Sequence, residues 1–144
     1  MRRLVYELRP PTLDDLGLAG ALQQSAARLE NDTLQFAFDV AEPLPDLPAA
    51  VETAVYRITQ EAMTNVVRHA DARHVTIDIA CTERQICVVI CDDGQGLSAH
   101  QQSGVGLQSM RERAAELNGS CTIEPMTGGG TKVVTQLPLE VSDE

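Results

Sequence analysis

Between Thr12 and Leu29 the chain repeats apolar residues at the spacing of an amphipathic helix. Leu18, Leu22 and Leu29 would share one side of this helix, and the interval between Thr12 and Asp15 is that of a capping box at its start. A second set at helical spacing follows later in the chain and stops at an Asn-Gly pair: Leu107, Met110, Ala114 and Leu117.

The stretch from Tyr56 to Ala70, YRITQEAMTNVVRHA, predicts the central helix of the chain. At about 100° per residue, Glu61, Asn65 and Arg68 lie within roughly 60° of one another on one side. Asp46 stands where an N-cap is expected before this helix. Apolar residues share another side of the helix: Val55, Ile58, Ala62 and Val66.

Five stretches predict β-strands. Leu34–Val40 and Val75–Ile79 alternate apolar and polar residues, which is typical of a strand with one buried face. Ile86–Cys91 is almost continuously apolar, so we expect it to be buried on both faces. Cys121–Ile123 and Val133–Leu139 complete the set. Because helices and strands interleave, we predict an α+β fold, a two-layer α/β sandwich in which helices cover one face of a mixed sheet.

Length and charge narrow the class of protein. The 144 residues fit one domain, and the formal net charge of −10 opposes binding to nucleic acids or anionic membranes, which need a basic patch. The first residues lack the apolar run of a signal peptide, so we expect a cytoplasmic domain and leave membrane anchoring of a parent protein open. The four cysteines form no C-x-x-C pair and are expected to be buried, reduced thiols: Cys81, Cys87, Cys91 and Cys121.

Three glycine clusters after the central helix are candidates for phosphate binding. Gly94 with Gly96, Gly104 with Gly106, and the run 128–130 could each direct backbone N–H groups at an anion. The run GGGTK reverses the order of lysine and threonine in a P-loop, and neither pair extends to G-x-G-x-x-G. DDG also lacks the accompanying motifs of protein kinases. These familiar nucleotide-binding motifs are therefore excluded.

The polar side of the central helix supplies complementary chemistry. Glu61 offers an acceptor, Asn65 a neutral oxygen ligand, and Arg68 a donor fork that matches phosphate, which together suit a metal-nucleotide site. Taken alone, such a side also fits a solvated helix face, and Glu61 could pair with Arg57 one turn earlier.

Four blocks occur in one order: ExxxNxxRHA at residues 61–70, DDGQG at 92–96, GVGLxxMRER at 104–113 and GGGT at 128–131. Together they resemble the N, G1, G2 and G3 boxes in the ATP-binding domain of bacterial two-component sensor histidine kinases. That domain belongs to a wider group with DNA gyrase B and MutL. The likeness covers residues 34–139. The entry LRPPTLDDLGL and the short segment 97–103 resemble the subfamily that signals to NarL-type response regulators.

The resemblance implies ATP and Mg²⁺ as cofactors and assigns roles to single residues. Asn65 matches the Mg²⁺ ligand, Glu61 the catalytic residue that polarises the acceptor histidine, and Asp92 the acceptor for the adenine amine. Arg68 and His69 match positions that end the N box, the first near phosphate. The remaining nucleotide-binding positions implied by the boxes are Gly94, Gly96, Gly104, Val105, Gly106, Leu107 and Thr131.

The resemblance also implies a division of the parent protein. Residues 1–11 would be the end of a dimerisation helix and a linker, and residues 12–144 the catalytic domain. Since His69, His74 and His100 all follow that linker, we expect a protein-histidine kinase fragment that does not autophosphorylate alone. Expected partners are the dimerisation domain and a NarL-type regulator, with the isolated domain monomeric and the full-length protein a homodimer. Two alternatives of the same fold stay open: an anti-sigma serine kinase and an ATP-gated interaction module.

Overall fold

The computed structural model describes residues 9–41, 43–95 and 105–139. Within these ranges the helices are α1 (Pro11–Leu29), α2 (Ala49–Asn65) and α3 (Val105–Glu116), and a π-helical turn (Val66–Ala70) continues α2. The strands are β1 (Gln35–Val40), β2 (His74–Cys81), β3 (Gln85–Asp92), β4 (Ser120–Pro125) and β5 (Thr131–Pro138). The five predicted strands and the three helices predicted from Thr12 onward are confirmed as elements. The predicted end of a dimerisation helix within residues 1–11 falls mainly on residues 1–8, which lie outside the described ranges.

The strands form one mixed sheet in the order β1-β2-β3-β5-β4. β1 pairs with β2 in parallel, and the other three pairings are antiparallel. Ile77 lies opposite Ile90, and Ile90 lies opposite Val133, so one face of the central strands is apolar across the sheet. This face is buried under the helices, which confirms the predicted two-layer α+β sandwich.

The prediction that β3 is buried on both faces is wrong. Ile86, Val88 and Ile90 are buried, whereas Cys87 and Cys91 on the opposite face are half-buried. Helices cover only one face, so the apolar run 86–91 cannot be fully enclosed. Cys81 is half-buried as well, and Cys121 is buried, so the expectation of buried thiols holds fully for Cys121 alone.

Helix α1 begins and bends differently from the sequence prediction. Pro11 occupies its first turn, where a missing N–H costs nothing, and no side chain caps the N-terminus. The predicted capping box is therefore wrong, and Thr12 instead donates its hydroxyl to the Tyr56 hydroxyl at 3.4 Å. Gly17 interrupts the helix with φ 75° and ψ 174°. A glycine makes this kink inexpensive because it lacks a Cβ.

Helix α2 begins after Pro48 without a side-chain cap, so the predicted N-cap at Asp46 is wrong. Its buried residues include Val55, Ile58 and Met63, which belong to the hydrophobic core. The predicted helix through Ala70 is regular only as far as Asn65. The π-helical turn then ends at a residue with φ 51°, Asp71.

None of the helices in the described ranges is long and apolar enough to cross a membrane.

Candidate functional site

Asp92 ends the central strand β3 as a buried carboxylate, with 7% of its surface exposed. Its Oδ1 accepts the N–H of Gly94 at 2.9 Å, and the backbone N–H of Thr131 also donates to its carboxylate. Burial nevertheless raises the pKa of Asp92 above its ordinary value, because desolvation outweighs these hydrogen bonds. The backbone of two loops thus fixes a carboxylate in a poorly hydrated place.

The third glycine cluster holds the start of β5 against the end of β3. Gly130 has φ 95°, and a Cβ at this position would lie 2.0 Å from the carbonyl oxygen of Asp92. A Cβ on Gly129 would lie 3.4 Å from the carbonyl oxygen of Gly94. Glycine at 130 is therefore required both by its conformation and by the close approach of the two chains. The first and third glycine clusters meet at Asp92.

A small pocket opens beside this carboxylate, and we call it the Asp92 pocket. The space in which the centre of a water molecule fits is about 20 Å³, enough for roughly one water, and the total volume including the part open to solvent is about 280 Å³. The Nδ2 of Asn65 and the Oγ1 of Thr131 are buried without a hydrogen-bond partner in the part of the chain that is described. The pocket is lined by Ala62, Asn65, Val66, Asp92, Leu107, Met110, Thr131 and Val133.

A buried polar group without a hydrogen-bond partner costs roughly 1–3 kcal/mol, and within the described ranges the Nδ2 of Asn65 and the Oγ1 of Thr131 are two such groups beside a buried carboxylate. A ligand with several hydrogen-bonding atoms would satisfy them. The surrounding side chains Ala62, Val66, Leu107 and Met110 are buried and apolar, which suits a flat, weakly polar ring. The Asp92 pocket therefore has the chemistry of a site for a planar heterocycle.

Asp93 has a structural part despite its place next to Asp92. Its Oδ1 accepts the N–H groups of Arg73 at 2.7 Å and His74 at 2.9 Å, and its Oδ2 lies 3.1 Å from Nδ1 of His74. These interactions, led by the backbone N–H of His74, lower the pKa of Asp93 to about 2. Asp93 therefore ties the start of β2 to the end of β3.

Glu61 and Arg68 do not line the Asp92 pocket. They line a groove between α1 and α2 with a volume of about 440 Å³, which we call the α1–α2 groove. Asn65 lies at the boundary, because its side chain lines the pocket while its neighbours on the same helix face line the groove. The predicted polar stripe is thus divided between two adjoining cavities.

The change from α-helix to π-helix occurs directly after Asn65. Arg68 and His69 belong to the π-helical turn, so their directions cannot be read from a spacing of 100° per residue. The backbone of His69 is described, but its side chain is not. π-helical turns inside α-helices are frequent at functional sites, which agrees with the position of this one.

The structure covers the other predicted site residues unequally. Leu107 is buried and lines the pocket from α3, as does Thr131 from β5. Val105 and Gly106 lie in the first turn of α3 and are described as backbone only, while Gly96 and Gly104 lie outside the described residues. Four apolar residues line the pocket although the sequence did not predict them as site residues: Ala62, Val66, Met110 and Val133. Most of them lie one helical turn, or two positions along a strand, from a residue that was predicted.

No group of three or more His, Cys, Asp or Glu side chains in the ranges described could hold a metal ion by itself. Asn65 offers one amide oxygen at the pocket boundary. Mg²⁺ commonly takes one or two protein ligands and completes its shell with water and phosphate oxygens. One amide oxygen therefore fits a Mg²⁺ whose other ligands are water and the phosphate oxygens of a bound ligand.

Comparison with known proteins agrees with this geometry. DegS from Brevibacillus brevis, a signal transduction histidine-protein kinase/phosphatase, is 33% identical over 99% of this chain and 38% of its own length. The sensor histidine kinase LiaS from Bacillus subtilis (strain 168) is 32% identical over 96% of this chain and 39% of its own length. The chain thus spans about two-fifths of the length of these relatives.

The ATP binding domain of PrrB from Mycobacterium tuberculosis has the same fold. Its structure superposes with a TM-score of 0.61 over 83% of this chain and 92% of that domain, at 24% identity. The model of the histidine kinase-, DNA gyrase B- and HSP90-like ATPases matches residues 50–141, which contain α2, the Asp92 pocket and the last four strands. The chain belongs to this ATPase family.

Proposed function

We propose that this domain binds Mg-ATP and supplies the γ-phosphoryl group to a histidine on the dimerisation domain of a two-component sensor histidine kinase. The observation that supports this proposal is the Asp92 pocket, where a buried carboxylate lies beside two polar atoms that have no hydrogen-bond partner among the described residues, the Nδ2 of Asn65 and the Oγ1 of Thr131. The names of the two relatives and the membership of the ATPase family support the same reaction class.

Asp92 would select adenine. Its carboxylate accepts hydrogen bonds only, so it pairs with the exocyclic amine of adenine, whereas guanine would present a carbonyl oxygen at that point. Two acceptors facing each other in a buried pocket leave both unpaired, which discriminates strongly between bases. Leu107 and Met110 line the pocket and would contact the faces of the ring. The ring needs more room than the space for about one water, so the lining side chains would shift to admit it.

Asn65 would lie between the site for the base and the site for the phosphates. Its amide oxygen is the proposed protein ligand for Mg²⁺, which when bound supplies positive charge to the β- and γ-phosphates. Arg68 would lie beside these phosphates in the neighbouring groove. His69 is assigned to the same end of the site by the family resemblance alone. From the resemblance, the backbone N–H groups of Gly96, Gly104, Val105 and Gly106 would provide further donors. The N–H of Gly94 is already donated to Asp92.

Glu61 would act on the acceptor rather than on the nucleotide. It lines the α1–α2 groove and not the Asp92 pocket, so an incoming side chain can reach it from outside. A carboxylate there can accept the N–H proton of an imidazole while the other ring nitrogen attacks the γ-phosphorus. Glu61 would orient the imidazole and take up its proton.

The division of the parent protein is part of the same proposal. Residues 1–11 would end a dimerisation helix, residues 12–144 would form the catalytic domain, and the phosphohistidine would pass its group to a NarL-type response regulator. The structural link that supports this division is Arg9, whose Nε donates to Asp14 at 2.6 Å and whose Nη2 donates to Glu52 at 2.5 Å. An ion pair of this kind connects the linker to the first turn of α2.

The experiment is phosphorylation of the parent protein with γ-labelled ATP. We expect label that is labile in acid and stable in base, lost in Glu61→Gln although that variant still binds ATP, and lost together with ATP binding in Asn65→Ala. Acid-stable label would indicate a serine kinase instead. ATP-dependent dimerisation of this domain without any labelling would indicate an interaction module.

A further inference from the structure

The α1–α2 groove has a charge opposite to that of the chain as a whole. Acidic residues outnumber basic ones by 21 to 11 in the sequence. Among the residues lining the groove, however, three are arginines and one is a carboxylate: Arg28, Arg57, Arg68 and Glu61. Guanidinium groups match carboxylates in a two-pronged geometry, so the groove favours an anionic occupant.

The arginines are too widely spaced to serve one phosphate group. Arg57 and Arg68 are eleven positions apart on α2 and its π-helical continuation, which corresponds to about 16 Å along a helix axis. Arg28 faces them from the last turns of α1. A polypeptide segment of several residues spans such a distance, whereas a triphosphate entering past Asn65 would meet only the Arg68 end.

The groove is also preformed. Gln60 donates its Nε2 to the Ser25 hydroxyl at 3.1 Å and to the Tyr56 hydroxyl at 3.0 Å, so hydrogen bonds join α1 to α2. A groove whose walls are already fixed loses little conformational entropy when a partner binds. Glu61 lies between Arg57 and Arg68 along the helix, so the middle of the groove suits a neutral or protonated side chain.

We propose that the α1–α2 groove docks an acidic segment of the polypeptide that presents the phosphoryl acceptor, with carboxylates on Arg28 and Arg57 and the acceptor side chain at Glu61. This inference rests on the proposed function, which supplies the acceptor, and it adds the surface and the charge by which the acceptor is recognised. Arg28 and Arg57 are positioning residues, separate from the residues assigned to the nucleotide.

The test uses a fluorescein-labelled, alanine-rich helical peptide with a central histidine and two glutamates on each side. Its binding to the chain is measured by fluorescence anisotropy, and a matched peptide carries glutamine in place of glutamate. We expect Arg28→Glu with Arg57→Glu to raise the Kd of the acidic peptide about tenfold, with weaker binding at higher salt. The affinity for Mg-ATP, measured by calorimetry, stays within about twofold of that of the original chain.

Arg84→Glu is the matched control for each single variant, Arg28→Glu or Arg57→Glu, because Arg84 is exposed in the turn between β2 and β3 and its substitution changes the net charge by the same amount as either one. Equal weakening by Arg84→Glu would overturn the proposal, since only the overall field would be acting. Competition of Mg-ATP with the peptide for one site would also overturn it and assign the groove to phosphate. If the chain binds the peptide through Arg28 and Arg57 but does not bind Mg-ATP, the proposed function fails and the acidic-peptide site remains.

Discussion

Asp92→Asn is the substitution that separates nucleotide recognition from folding. Oδ1 of Asp92 accepts the Gly94 N–H, and the carboxylate also accepts the Thr131 N–H. An asparagine has one acceptor oxygen and one donor nitrogen. If the asparagine oxygen accepts the backbone N–H groups, its NH₂ group faces the amine of adenine. If the amide is rotated the other way, its NH₂ group faces the backbone N–H groups. Either orientation opposes two donors in a buried site.

The expected loss of affinity follows from these contacts. A hydrogen bond to a charged group contributes about 1.5–3 kcal/mol, and leaving buried donors unpaired costs roughly 1–3 kcal/mol more. A total near 3 kcal/mol corresponds to about a hundredfold increase in Kd. Calorimetric titration with Mg-ATP measures this change directly. A Kd for Asp92→Asn within about threefold of the original would refute the assignment of Asp92 to the base.

Folding is not expected to suffer from Asp92→Asn. Because burial raises the pKa of Asp92, its folded state binds the proton more tightly than its unfolded state, and the ionised form costs stability at neutral pH. We therefore expect an unchanged or higher melting temperature. Asp93→Asn is the matched control, since it makes the same change in the neighbouring carboxylate, which accepts hydrogen bonds from Arg73 and His74 and does not line the Asp92 pocket. It should retain its affinity for ATP.

Three further predictions concern stability. The pKa of Asp93 is lowered to about 2 in the folded state, so its contribution to the free energy of unfolding is present above the unfolded value near 4 and is lost as the pH falls through 2. Because its side chain is 47% exposed, we expect this contribution to be about 1 kcal/mol or less. Urea unfolding of Asp93→Asn should show that loss at pH 7 and none at acid pH. Gly130→Ala should lower the free energy of unfolding by about 1–3 kcal/mol more than Gly128→Ala, because both glycines have positive φ but only a Cβ at 130 would clash with the backbone of Asp92. Equal losses would contradict the close approach of the backbone at Gly130 to the backbone at Asp92. Tyr56→Phe should cost about 1 kcal/mol in urea unfolding and leave ATP affinity unchanged, since the buried hydroxyl joins Thr12, Ser25 and Gln60; unaltered stability would show that this network contributes nothing.

Local patterns in the sequence were sufficient for the elements of the fold. Alternation along Leu34–Val40 and Val75–Ile79 predicted strands with one buried face. The structure has both strands, with that face buried in β2 and half-buried in β1. The sequence could not show that only one face of residues 86–91 is buried, because that depends on which face of the sheet the helices cover after folding. Asp46 does not cap α2, because Pro48 occupies the N-cap position and sets the start of the helix.

The candidate site was predictable as a set of residues but not as a geometry. Asp92, Asn65 and Thr131 were all named from the sequence, and the structure brings them to one pocket. The separation of Asn65 from Glu61 and Arg68 was not predictable, since it depends on which neighbouring element each side of α2 meets. Arg28 was not singled out at all, because its relation to α2 exists only through the packing of α1 against α2.

The π-helical turn after Asn65 means that the two ends of the site can vary independently. Residues up to Asn65 are held by the regular α-helix and the sheet beneath it, whereas Arg68 and His69 follow a wider turn that contains one residue more than the helical pattern requires. Deleting one residue from this turn could restore an α-helix and rotate Arg68 while leaving Asn65 in place. An insertion or deletion in this turn would therefore move Arg68, the proposed phosphate contact, while leaving Asn65 and the Asp92 pocket in place.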